Sequence, residues 1–135
     1  MHKPVIEIDG RSFDSLEGFF DIFGAVVLGG NRFGRNFDAF NDILRGGFGS
    51  PEGGFILRWK NAERSRVRLG YAETARYLER KLATCHASHR EDVRQELCRA
   101  RSGEGETLFD VICDILRDHG PGGRESDDGI VLELV

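Results

Sequence analysis

The sequence is poor in cysteine, proline and tryptophan, and it has no long apolar run. Among its 135 residues are three cysteines, three prolines and one tryptophan. Cys85, Cys98 and Cys113 share no framework spacing, so we expect reduced thiols that pack as small hydrophobic side chains rather than a disulfide-stabilised secreted domain. No apolar segment approaches the roughly 20 residues that cross a bilayer, which excludes a membrane helix.

The remaining composition is that of one ordinary folded domain. Hydrophobic residues make up 39% and charged residues 31% of the chain, and ten phenylalanines point to an aromatic core. Met1-His2-Lys3-Pro4 leads directly into the strand pattern of residues 5–8 and not into a signal peptide. We therefore expect a cytoplasmic protein without a membrane partner.

Charge is distributed unevenly along the chain, whose formal net charge is −4. Residues 61–102 hold ten basic and six acidic side chains, and the rest of the chain holds nine basic and 17 acidic side chains. A mildly basic segment is thus set in a clearly acidic body. Such a body repels nucleic acid and attracts basic proteins, so we expect no direct nucleic-acid partner.

Short apolar strand patterns alternate with helical periodicity. The predicted strands cover 5–8, 55–59 and 130–134, and the predicted helices cover 14–23, 37–45, 71–82, 90–101 and 108–118. Tyr71, Ala75, Leu78 and Leu82 share one face of the helix predicted over 71–82, which is expected to be its buried face. Thr107 with Asp110 forms a capping-box pattern. This order favours an α/β class with a small three-stranded parallel sheet packed with helices.

The helix predicted over 37–45 carries the sharpest candidate site. Asp38 and Asp42 lie four residues apart and therefore on one helical face. Because Phe37, Phe40 and Leu44 set the apolar face, both carboxylates point to solvent or to a partner. Like charges at this spacing cost a helix about 0.2–0.5 kcal/mol. Asp38 gains from the helix N-terminus and Asp42 does not, so Asp42 is the better functional candidate; a solvated acidic face is the alternative.

Residues 33–44 read Phe-Gly-Arg-Asn-Phe-Asp-Ala-Phe-Asn-Asp-Ile-Leu. This string resembles the signature of the barstar family, aromatic-Gly-x-Asn-x-Asp-Ala-hydrophobic-x-Asp-x-Leu. Ile8-Asp9-Gly10 resembles the family's start, Leu57-Arg58-Trp59 the end of its second strand, and residues 107–134 its last helix and strand. Residues 61–102 fall outside the resemblance. The prediction is a single barstar-like domain over 1–135, with a helical hairpin inserted at about 61–102.

The resemblance implies an inhibitor and not an enzyme. Barstar-like inhibitors place carboxylates where the substrate phosphate would sit in a basic ribonuclease, whose cationic side chains donate charge-assisted hydrogen bonds to them. Asp42 is then the principal phosphate mimic, Asp38 the adjacent acidic contact and Asp114 a third contact on the last helix. The implied partner is a secreted basic ribonuclease or nuclease toxin, bound 1:1, with no cofactor and no metal.

Four more residues enter the implied interface. Asn36 caps the helix or contacts the partner, and Phe33 belongs to the loop 29–34 at the interface edge. Arg32 and Asn41 stand where the best-known member has an aromatic residue and an exposed tryptophan. A positive charge inside an acidic face favours a different nuclease as the partner.

The sequence leaves room for two other functions and one other site. Carboxylates at this spacing share one surface and cannot flank a substrate from two sides, which disfavours glycosidase chemistry. Cys85, His86, His89 and Cys98 offer four possible zinc ligands, but their spacing matches no standard finger. The alternative function is a barstar-fold binding or regulatory module without nuclease inhibition, acting through the arginine-rich segment 61–102.

Overall fold

The structure is a computed structural model that describes residues 3–135. Its sheet has three parallel strands, β1 (Val5–Asp9), β2 (Ile56–Lys60) and β3 (Val131–Leu134), in the order β1-β2-β3. The central strand β2 aligns Trp59 with Ile8 of β1 and with Leu134 of β3. The predicted α/β class with a three-stranded parallel sheet is confirmed.

The described residues also form six α-helices. They are α1 (Leu16–Val26), α2 (Phe37–Ile43), α3 (Ala62–Arg68), α4 (Tyr71–Thr84), α5 (Arg90–Arg101) and α6 (Leu108–Asp118). None of the helices in residues 3–135 is long and apolar enough to cross a membrane.

Four helix boundaries differ from the prediction. The helix α1 begins two residues later and ends three residues later than predicted, and α4 ends two residues later. Gly24 lies inside α1, where a side chain would meet the Asn31 carbonyl and the Phe33 ring. The helix α2 ends at Ile43, and Gly46 follows with a φ of 100°, which strains any residue that carries a side chain.

One large cluster of buried residues, which we call the main core, joins the sheet to α1, α2 and α6. Phe19 stacks on Trp59 at a ring-centroid distance of 5.2 Å and meets Phe40 edge-on at 5.5 Å. The Trp59 indole Nε1 donates a hydrogen bond to the buried Ser65 hydroxyl at 2.9 Å. The main core includes the buried residues Ile8, Phe13, Leu16, Phe19, Phe20, Phe23, Val27, Leu28, Phe40, Ile43, Leu44, Phe55, Leu57, Trp59, Ala62, Leu69, Leu108, Phe109, Ile112, Cys113, Leu116 and Ile130.

A smaller cluster, the hairpin core, lies between α4 and α5. Its buried members are Leu78, Val93, Leu97 and Ala100. The inward orientation predicted for the three α5 residues is therefore confirmed. The inward orientation predicted for Tyr71 is wrong: the side chain is 37% exposed, and its hydroxyl donates a hydrogen bond to the Gly105 carbonyl.

The segment 61–102 does not pack as one unit. Ala62 and Leu69 belong to the main core. At the start of α4, Glu73 accepts a hydrogen bond from the Leu16 backbone N–H at 2.8 Å, and the Thr74 hydroxyl accepts one from the Leu108 N–H at 2.9 Å. The rest of the hairpin, from Leu78 of α4 to Ala100 of α5, has a buried cluster of its own.

The three cysteines are free thiols with different surroundings. Cys113 is buried, and desolvation raises its pKa to about 11. Cys85 is half-buried and Cys98 is exposed, so the prediction of a packed thiol is wrong for Cys98. The α5 face that carries Cys98 turns away from the hairpin core formed by Val93 and Leu97.

Candidate functional site: carboxylates on α2 and α6

Helix α2 is held in place at both ends. The Asn36 side chain accepts a hydrogen bond from the Ala39 N–H at 2.7 Å, which satisfies one of the free donors of the first turn. Phe40 and Ile43 are buried in the main core. The capping role predicted for Asn36 is confirmed, and the opposite face of the helix is fixed toward solvent.

Asp38 and Asp42 lie on that exposed face. Asp38 stands in the first turn, where the helix N-terminus favours a negative charge. Within the described residues Asp38 has no cation inside 4.0 Å. Asp42 is 63% exposed, but its Oδ1 lies 2.8 Å from Arg45 Nη1. The two carboxylates therefore share a face and differ in their surroundings.

Arg45 connects Asp42 to the loop before β3. Its Nε donates a hydrogen bond to Glu125 Oε1 at 2.8 Å. That hydrogen bond and the charge of Glu125, with smaller contributions from Asp42 and Asp128, raise the pKa of Arg45. Only the Oδ1 of Asp42 contacts Arg45, and exposed ion pairs of this kind contribute about 0–1 kcal/mol, so the Asp42 carboxylate remains accessible to a partner. Sequence reasoning missed the contact, although an arginine three residues after Asp42 was a visible signal.

A buried histidine ties α2 to the end of α6. Nδ1 of His119 lies 2.6 Å from Asp128 Oδ2, and Nε2 lies 2.7 Å from Asn41 Oδ1 and 3.2 Å from Glu125 Oε2. Asn41 is half-buried, so its side chain serves this inward contact. Nothing in the local pattern around His119 indicated the network.

The histidine network is also the group with metal-ligating potential. His119, Glu125 and Asp128 have ligand atoms within 4.8 Å of one another, and it is the one such group in the described part of the chain. The hydrogen bonds already engage both ring nitrogens of His119. The four candidate zinc ligands around residues 85–98 are not brought together; His86 Nδ1 instead lies 2.8 Å from the Ser88 hydroxyl.

Helix α6 carries two carboxylates with different surroundings, Asp110 in its first turn and Asp114 one turn later. Asp110 and Thr107 form the reciprocal capping box, as predicted. Asp114 is exposed one turn later and reaches the side chain of Glu106. The interaction between the carboxyl groups of Asp114 and Glu106, together with burial and the nearby negative charges, raises the pKa of Glu106. Glu106 was not among the predicted site residues.

The loop before α2 contributes a core residue and an exposed cation. Phe33 is half-buried, with its ring 5.7 Å from Phe20 and 6.5 Å from Phe40. Arg32 is exposed beside it. Arg35 is paired with Asp21 at 2.7 Å.

Most arginines of the segment 61–102 have partners inside the chain. Ion pairs join Arg64 to Asp14, Arg66 to Glu63, Arg68 to Asp14, Arg76 to Glu17 and Glu73, Arg80 to Glu17, Arg94 to Glu91, and Arg101 to Glu79. Their charge is thus largely matched within the molecule, which leaves little of it for a nucleic acid or a second protein.

The family model of barstar, described as the barnase inhibitor, matches residues 3–98. Because this match covers more than half of the chain and includes α2 with Asp38 and Asp42, the protein belongs to the barstar family. The family is one of inhibitors and not of enzymes. The matched range includes nearly all of the segment 61–102 and ends before α6, which carries Asp114. No curated protein sequence matches the chain.

Proposed function

We propose that the protein is an intracellular inhibitor of a ribonuclease or nuclease toxin and is not itself an enzyme. The observation that carries the proposal is the placement of helix α2 in a chain that belongs to the barstar family. The helix is anchored by Phe40 and Ile43 in the main core and presents Asp38 and Asp42 on its exposed face. In the proposed 1:1 complex these carboxylates occupy the position of the substrate phosphate.

The proposed chemistry is a set of charge-assisted hydrogen bonds. Ribonucleases bind phosphate through cationic side chains, and a carboxylate can accept the same donors. In this proposal Asp42 is the principal mimic, Asp38 is the adjacent acidic contact on α2, and Asp114 is a third acidic contact on α6. The net charge of −4 would also attract a basic secreted nuclease during diffusional encounter.

Four further residues are proposed to shape the edge of the interface. Arg32 and Phe33 stand in the loop that precedes α2 and would meet the rim of the nuclease. Asn36 and Asn41 would act through the placement of α2, because their side chains bond within the chain. The charge of Arg32 would select a nuclease with an acidic rim.

The alternative is a binding module that acts through the arginines of 61–102 without inhibiting a nuclease. It has weaker support, since seven of the segment's arginines are in ion pairs with the chain's own carboxylates. Binding through such a surface would survive Asp42→Ala, whereas inhibition would not.

The test uses calorimetry and RNA-cleavage assays against barnase and a panel of secreted ribonucleases and nuclease toxins. We expect equimolar inhibition by the wild type. Asp42→Ala should weaken it by roughly 2–5 kcal/mol, a scale taken from charged pairs in the barnase–barstar complex, the best-known complex of this family. Asp92→Ala removes an exposed carboxylate outside the proposed face and serves as the matched control.

The outcomes separate the function from the site. Inhibition that Asp42→Ala leaves unchanged would show that the face on α2 is not the binding site. If the wild-type protein binds none of the nucleases, the inhibitor function itself is wrong.

A further inference from the structure

A groove of about 660 Å³ lies between the α4–α5 hairpin and the start of α6. Phe37 of α2 and Tyr77 of α4 line it, and their ring centroids are 5.7 Å apart. The connection between α5 and α6 contributes Glu104 and Glu106. One part of the lining is thus Phe37, the residue that precedes Asp38 in α2.

Carboxylates without an intramolecular cation are concentrated around this groove. Of the 23 acidic residues, 13 have an arginine nitrogen within 4.0 Å in the described part of the chain, Asp128 has a ring nitrogen of His119, and nine have none of these. Four of those nine line the groove, and two more stand beside it. The lining residues are Glu96, Glu104, Glu106 and Asp110; their neighbours are Asp38, next to Phe37, and Asp114, next to Glu106.

Lys81 and Arg99 also line the groove, so its lining is not uniformly acidic. Against four carboxylates they leave an excess of two negative charges. Neither cation lies within 4.0 Å of a carboxylate in residues 3–135.

Glu106 and Asp114 show that the negative charge is poorly compensated. The two carboxyl groups lie within hydrogen-bonding reach, and Asp110 and Glu96 add further negative potential, which together raise the pKa of Glu106. Crowded carboxylates disfavour one another's ionisation unless a cation stands between them. Among the described residues no lysine or arginine lies within 4.0 Å of Glu106 or Asp114, and the cation of a partner would fill this role.

We infer that this groove is a second contact area of the inhibitor and that it receives a lysine- or arginine-bearing segment of the nuclease held by α2. The inference rests on the proposed function. Charge complementarity favours a basic occupant, and the rings of Phe37 and Tyr77 suit the stem and plane of an arginine side chain. The groove adjoins the proposed inhibitory face through Phe37, which precedes Asp38 in α2, and through Glu106, whose carboxyl group interacts with that of Asp114. The α4–α5 hairpin thereby helps to select which nuclease is bound.

The first experiment titrates the full chain with a blocked tetra-arginine peptide and follows backbone amide shifts by NMR. We expect shifts at Tyr77, Glu96 and Glu106 that fade as salt is added. Glu106→Gln should weaken the peptide's binding about two- to fivefold, the range of an exposed charge pair. Asp92→Asn, on the same hairpin but outside the groove, should leave binding unchanged.

A stability measurement separates a binding role from a structural one. Glu106→Gln removes a carboxylate that its neighbours repel, so its melting temperature at neutral pH should equal or exceed that of the wild type. A peptide that shifts none of the groove amides would overturn the inference, as would equal binding by Glu106→Gln and Asp92→Asn.

The second experiment repeats the comparison with the tightest-binding nuclease of the panel. Inhibition that is lost in Asp42→Ala but unchanged in Glu106→Gln would show that the groove does not contact the nuclease, while the inhibitor function would stand. Peptide binding in the groove without binding of any nuclease would refute the inhibitor function and, with it, the nuclease as occupant. Weakening by both variants is the expected result.

Discussion

Helix α2 and the α4–α5 hairpin use charge in opposite ways. The helix buries Phe40 and Ile43 in the main core, and its face toward solvent carries two carboxylates, of which Asp38 has no ion-pair partner among the described residues. The hairpin has a small core of its own. Most of its arginines form ion pairs with carboxylates of the hairpin itself or of α1. The pairs Arg80–Glu17 and Arg101–Glu79 connect separate helices of the chain, whereas Asp38 keeps its charge available to a partner.

The largest expected effect concerns the two cores. Phe40→Ala should lower the free energy of unfolding by about 3–5 kcal/mol, because it leaves a cavity in the main core. Leu97→Ala should mainly destabilise the hairpin. Denaturant unfolding followed by Trp59 fluorescence measures the first effect, and amide hydrogen exchange measures the second. Uniformly faster exchange throughout Leu97→Ala would show that the two cores unfold as one.

The next effect concerns the contact that ties α4 to α1. Glu73 accepts the Leu16 N–H in a buried position and also binds Arg76. Glu73→Ala should therefore lower the free energy of unfolding by about 1.5–3 kcal/mol, the worth of hydrogen bonds to a charged group. Glu79→Ala is the matched control: its exposed pair with Arg101 should contribute at most about 1 kcal/mol. Equal losses in thermal or denaturant unfolding would contradict the distinction.

A smaller effect separates capping from binding on α6. Asp110→Ala should lower the free energy of unfolding by about 1 kcal/mol through loss of the capping box. Asp114→Ala, one turn further along, should leave the free energy of unfolding unchanged or slightly raised, because it removes the charge repulsion between Asp114 and Glu106. Denaturant unfolding of the two variants checks this, and a larger loss in Asp114→Ala would argue against its role as an exposed contact.

The smallest effects are in the pH dependence of stability. Arg124 lowers the pKa of Asp118 below its ordinary 3.8 through side-chain and backbone hydrogen bonds. The stabilisation from Asp118 is therefore present above that value and is lost as the pH falls through the lowered pKa. Glu106 has a raised pKa, so its contribution is present below its ordinary 4.5 and is lost as the pH rises through the raised value.

Melting temperatures between pH 2 and 7 would test these opposite signs. The melting temperature of Asp118→Asn should fall less steeply at low pH than that of the wild type. The melting temperature of Glu106→Gln should increase relative to that of the wild type as the pH rises. An Asp118→Asn curve parallel to that of the wild type would show that the ion pair with Arg124 does not contribute.

Features that depend on neighbours along the chain were well predicted. The Asn36 cap and the Thr107–Asp110 box each join residues three apart, and the apolar faces of α2 and α6 follow from helical periodicity. The contacts that surround Asp42 could not be predicted in this way. Arg45 and Glu125 are 80 residues apart in sequence, and Asn41 and His119 are 78 apart, so only packing brings them together.

By itself the sequence determined the α/β class, the parallel sheet, the barstar-like motif and the exposed face that carries Asp38 and Asp42, because hydrophobic period and capping are local properties. The tertiary structure decided which charges remain available. It paired Asp42 with Arg45, buried His119 against Asn41, divided the segment 61–102 between two cores and opened a groove beside Asp114. Such outcomes depend on how distant helices pack, since a charge is neutralised only by the groups that the fold places within a few ångströms of it.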